Sequence, residues 1–90
     1  MAEDLYVPSH DAALKRLRWR CRRGTRELDR MLGGFLESSF LTLKLDQQYA
    51  FERLLECEDD SLWDWLSGLK DPADGALREV VEKIRTQSYA

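Results

Sequence analysis

The residues of this 90-residue chain best equipped for chemistry lie in "RCRRGTRELD", Arg20 to Asp29, where Arg20, Arg22, Arg23 and Arg26 crowd around Gly24 and are answered by Glu27 and Asp29. Guanidinium groups neutralise phosphates and fork onto carboxylates, so the run suits nucleic acid, a protein partner, or a helix junction and nothing more. Catalytic material elsewhere is thin. His10 is the single histidine, and beside Asp11 at a helix start it is expected to cap or face solvent, since a general base must also have a nucleophile within hydrogen-bond reach. Cys21 and Cys57 stand far apart, lack a C-x-x-C partner and fall on apolar positions. They read as reduced core thiols of a reducing cytoplasm. No metal-ligand cluster and no glycine-rich phosphate loop after a strand can be assembled, so no catalytic residue is assigned and an autonomous enzyme is not expected.

The net charge of −3 conceals an asymmetry. Lys15, Arg16, Arg18, Arg20, Arg22, Arg23, Arg26 and Arg30 meet only Glu27 and Asp29 in the front part, whereas Glu56, Glu58, Asp59, Asp60 and Asp64 make the densest acidic stretch. Such polarity steers a partner, or draws the two halves of one small domain together. The Arg16 to Arg30 face, with Trp19 available for stacking, defines a nucleic-acid-binding alternative. The acidic total argues against it, because a nucleic-acid module is more often basic overall.

Positioning these residues falls to helices. Few prolines and glycines, with abundant Leu, Glu, Arg and Ala, favour an all-α domain over one built from tight β turns. The first helix is expected from about His10 to Arg23, opened by Ser9 and stopped by Gly24, with Leu14, Leu17 and Cys21 as its apolar positions. A second, from about Thr25, carries the clearest amphipathic stripe: Leu28, Met31, Leu32, Phe35 and Leu36. Gly33 and Gly34 interrupt it and suggest close backbone approach or a bend. "SSFLTLKLD" should connect to a third helix over about Asp46 to Glu56, which buries Ala50, Phe51, Leu54 and Leu55. A fourth spans about Asp60 to Leu69, capped by Ser61 or Asp60, with Gly68 near its end. Trp63 and Trp65, two apart, cannot both centre on one face, so one is core and the other partly exposed. The last helix runs from about Gly75 to Gln87 with Asp74 as N-cap and Leu77, Val80, Val81 and Ile84 buried. The whole, 1–90, is expected to be one compact five-helix bundle with residues 1–8 flexible. An acidic start without an apolar run of leader length, and no membrane-length apolar segment, predict a soluble cytoplasmic chain without membrane insertion.

At the level of physical chemistry, Arg23-Gly24-x-x-Glu27 needs no function: Gly24 ends one helix, Glu27 favours the positive start of the next, and the exposed Arg23 and Glu27 can pair across the corner. Yet "WRCRRGTRELD", "RLLECEDDSLWDWL" and "PADGALREVVEKIRTQ" together resemble the SdhE family of FAD assembly factors over nearly the whole chain. The family's R-G-x-x-E signature falls on Arg23, Gly24 and Glu27, with Thr25 where the family usually has methionine. The resemblance implies a five-helix bacterial chaperone that promotes covalent flavinylation of the flavoprotein subunit of succinate dehydrogenase or fumarate reductase. The histidine that becomes bonded to the flavin belongs to that partner. A monomer is expected, without nucleic acid because of the acidic total, and with no tightly bound metal or cofactor because the chain lacks a ligand cluster and a dinucleotide-binding fold, the FAD being the partner's. Docking is then expected through Arg23, Gly24 and Glu27, flanked by Trp19, Arg20 and Arg26.

Overall fold

The computed structural model describes residues 10–89. The expected Ser9 cap and the expected flexible stretch 1–8 lie outside the described residues, as does the His10 side chain. Five α-helices follow in order: α1 His10–Arg20, α2 Arg26–Ser39, α3 Leu45–Leu54, α4 Asp59–Leu66 and α5 Gly75–Tyr89, with a 3-10 turn at Phe40–Thr42 between α2 and α3. There is no β-strand among the described residues, and the all-α bundle is as expected.

The core follows from helical periodicity. Leu28, Met31, Leu32, Phe35 and Leu36 of α2 are all buried, as are Leu77, Val80, Val81 and Ile84 of α5. Helix α5 packs against α2, α3 and α4, while α1 lies on α2. Phe51 of α3 sits at the centre, its ring 5.7 Å from Phe35 and 5.5 Å from Phe40. Burying side chains of this size contributes about 1.5–3 kcal/mol each, more than the cost of about 1 kcal/mol for each glycine within α2. The helix therefore runs unbroken through Gly33 and Gly34. Apart from the adjoining residues and the helix's own backbone, nothing would lie within 4 Å of a Cβ at either glycine, so the expected close approach of another segment does not occur.

Two helices end earlier than expected. Helix α1 ends at Arg20 rather than Arg23, and α4 ends at Leu66 rather than Leu69. Beyond α4 the chain turns at Gly68, whose φ of +87° is readily reached only by glycine. Glu58, not Asp60 or Ser61, stands at the α4 N-cap, without a side-chain cap bond. At α5 the expected cap is present, with Asp74 Oδ1 accepting from Ala76 N at 2.8 Å and Leu77 N at 3.1 Å. The Arg53 guanidinium, hydrogen-bonded to the carboxylate at 2.6 Å, and then these amides hold the Asp74 carboxyl below its usual range.

Candidate functional site

The corner between α1 and α2 is built by one arginine. After the last turn of α1, Arg23 leaves the helix and its amide donates to Asp29 Oδ1 at 2.6 Å, which ties the corner to the first turns of α2. Its guanidinium then spans three segments. Nε donates to Asp59 Oδ1 at 2.8 Å, Nη1 to the carbonyls of Arg20 at 3.0 Å and Leu55 at 2.8 Å, and Nη2 to the carbonyl of Cys57 at 2.7 Å. Arg20 ends α1 and Leu55 caps α3, so these oxygens belong to helix C-termini, which lack intrahelical donors and carry partial negative charge. A planar cation with five N–H groups suits such a cluster better than an ammonium.

Arg23 is consequently not a surface residue: its side chain is 16% exposed. The expected pairing of Arg23 with Glu27 across the corner does not form, because the guanidinium is turned inward to Asp59 and the helix carbonyls. Gly24 follows with φ +93°, the left-handed region expected of it, and no atom would lie within 4 Å of a Cβ placed there. Glycine is required by backbone conformation at this point, not by crowding within the chain. Thr25 precedes α2 as its N-cap without a side-chain cap bond.

Glu27, one residue into α2, is exposed, and its side chain makes no hydrogen bond or ion pair among the described residues. It lines a depression of about 280 Å³ with Thr25, Leu28, Asp59, Asp60 and Trp63. Of the tryptophan pair, Trp65 packs partly buried against the core and Trp63 is 42% exposed at this depression. The acidic stretch of α4 is thereby brought to the signature corner, an arrangement that sequence spacing could not reveal because Arg23 and Asp59 are 36 residues apart. A larger depression of about 570 Å³ lies between α5, the end of α2 and the start of α3, and includes none of the signature residues.

The flanking cations divide. Trp19 is 73% exposed, with the Arg22 guanidinium 5.9 Å from its ring centre. Arg26 is exposed and makes no ion pair among the described residues. Arg20 instead turns to the Glu52 carbonyl at 3.2 Å and lies 4.0 Å from the Glu56 carboxylate. Arg18 binds the Glu37 carboxylate, which holds that carboxyl below its usual range. Arg18, Arg20 and Arg23 are therefore engaged within the molecule, the last two with the acidic stretch.

Neither cysteine is in a disulfide. Cys21 is buried beneath the corner, and burial pushes its thiol up to about 11 despite the nearby Arg23 and Arg20. Burial also raises Cys57, which is only partly covered. These are the properties of packing thiols, since a reactive cysteine needs an accessible thiolate. Among the described residues, no group of three or more His, Cys, Asp or Glu is placed to hold a metal ion.

A family model described as "Flavinator of succinate dehydrogenase" matches residues 15–88, which takes in the corner, the depression and all of the buried stripes. The chain belongs to this family, the SdhE family of FAD assembly factors. The FAD assembly factor SdhE of Methylococcus capsulatus is 43% identical over 70 residues, covering 78% of this chain and 84% of that one. That of Serratia sp. is 41% identical over 73 residues, covering 81% and 83%. That of Coxiella burnetii is 38% identical over 76 residues, covering 84% and 93%. SdhE proteins are assembly factors rather than catalysts, and the family role is flavinylation of succinate dehydrogenase. Within the SdhE framework the signature splits by environment: Arg23 is largely covered, while Gly24 and Glu27 are left at the surface. No helix among the described residues is long and apolar enough to cross a membrane.

Proposed function

We propose that this protein docks on the flavoprotein subunit of succinate dehydrogenase and promotes covalent attachment of FAD to it, with the Gly24–Glu27 corner as the docking surface. The observation that carries the reading is the family match over residues 15–88, which includes that exposed corner. Covalent attachment requires a histidine of the partner to meet the flavin methyl carbon in a near-attack arrangement, while negative charge develops on the ring as the methyl loses a proton. A factor that holds the partner's domains in that geometry needs no catalytic residue of its own. Gly24 allows a partner backbone to approach closely, Glu27 offers a carboxylate for charged hydrogen bonds, and Arg23 holds the corner in shape from beneath.

The proposal extends to the flavoprotein of fumarate reductase, to a monomeric state in the bacterial cytoplasm, and to an isolated chain without stoichiometric flavin or metal. It also holds that the chain does not bind nucleic acid. In a bacterium lacking its own factor, expression of this chain should restore covalent flavin, read as fluorescence of the denatured flavoprotein on a gel. Normal expression without restored covalent flavin, or repeated co-purification with nucleic acid and never with the flavoprotein, would overturn the reading. A flavin spectrum surviving gel filtration of the isolated chain would overturn its cofactor part, and light scattering on the same column tests the monomer.

A further inference from the structure

We propose that the depression beside the signature corner receives an arginine side chain of the flavoprotein, held by the Glu27 carboxylate and the Trp63 ring; the identity of that partner rests on the assembly reading above. Glu27, Asp59 and Asp60 line the depression with Trp63, Leu28 and Thr25, and none of the lining residues is a cation. Neither Glu27 nor Asp60 is engaged in an ion pair or side-chain hydrogen bond among the described residues, and Arg23 occupies only Oδ1 of Asp59. The notch is therefore an anionic, partly apolar recess with an exposed aromatic wall, open to solvent at about 280 Å³.

That combination selects its occupant. Carboxylates repel phosphate groups, which disfavours nucleic acid. The carboxylates lining the notch are not grouped closely enough to hold a metal ion. A guanidinium forks onto a carboxylate and stacks on an indole, and it is more weakly hydrated than an ammonium, so it gains most from a recess with one charged and one aromatic wall. Continuity with Gly24 and Glu27 places the notch within the same docking surface, where a buried arginine between an aromatic and an acid is a common energetic anchor.

Two arms test the assignment. In the first, the purified chain is titrated with the flavoprotein subunit lacking FAD, at rising salt. Glu27→Gln, which keeps the shape and removes the charge, should weaken docking about tenfold or more and flatten its salt dependence. Trp63→Leu should weaken it similarly, and Trp63→Tyr, which retains an aromatic face, should restore most of it. Thermal unfolding of each variant confirms that the fold persists. In the second arm, N-acetyl-arginine amide is added to the isolated chain, and should move the Trp63 indole N–H resonance in the wild type more than in Glu27→Gln. The neutral N-acetyl-citrulline amide should move it little. Wild-type docking that is indifferent to all three substitutions overturns the notch and leaves the assembly reading standing. Equal shifts with the citrulline and arginine compounds also overturn it. Failure of the wild type to bind the flavoprotein, together with a Glu27-dependent arginine shift, removes the flavoprotein and retains the arginine-binding recess.

Discussion

Arg23 and Asp59, 36 residues apart, meet at 2.8 Å from Nε to Oδ1, and around that contact one guanidinium also collects the carbonyls of Arg20, Leu55 and Cys57. This arginine joins the end of α1 to the segment between α3 and α4. The signature corner is thus a product of the fold's interior as much as of its own short sequence.

Arg23→Ala leaves three carbonyls and the Asp59 carboxylate without their cation at a partly buried site. A loss of about 2–3 kcal/mol is expected from unpaired groups of this kind. For a domain of this size that lowers the melting temperature by roughly 10 °C or more. Arg23→Lys should recover only part, since a single ammonium cannot span the four acceptors. Circular dichroism melting of the two variants checks this, and unchanged melting of Arg23→Ala would refute the interior role.

At Gly24 the penalty comes from backbone conformation alone. With φ at +93° and open space around a Cβ, Gly24→Ala and Gly24→Arg should each cost about 1–2 kcal/mol and melt alike. Their effects on flavinylation should differ, because only the arginine places a long cation on the docking surface. Parallel measurement of melting and covalent flavin in cells separates the two effects; equal flavinylation by both variants would argue that nothing closely approaches this glycine.

Glu27→Ala gives the complementary case. An exposed carboxylate without an internal partner contributes within about 0.5 kcal/mol to stability, so melting should stay near native while covalent flavin falls. Normal flavinylation by this variant would leave the corner as a helix junction without a docking role.

The Cys21 thiol offers a test of packing. With its folded value pushed up to about 11 from an ordinary 9.0, the protonated thiol is favoured by the fold. That contribution is fully present below pH 9 and is lost as the pH rises from about 9 through 11, because the unfolded chain ionises first. Melting temperature should therefore decline over that alkaline window, and Cys21→Ala should decline less steeply. At pH 8, alkylation should reach the less buried Cys57 well before Cys21; the reverse order would contradict the buried thiol.

The stripes of α2 and α5 were legible from sequence because periodicity is local: Leu28 to Leu36 and Leu77 to Ile84 repeat every three or four residues, and one buried face accounts for them. Asp74 was legible as a cap for the same reason, its acceptor lying within three residues of the amides it serves. The left-handed conformation of Gly24 was readable, although α1 ends at Arg20 and Gly24 is not its cap, and the three-part resemblance made the family readable from residue types in order. Spacing could not show that Arg23 would turn inward, that α1 would end three residues early, or that Glu27 would share a recess with Asp60 and Trp63. Those outcomes depend on where α3 and α4 come to rest against the α1–α2 corner, and a side chain as long and many-handed as arginine chooses among acceptors that only packing brings within reach.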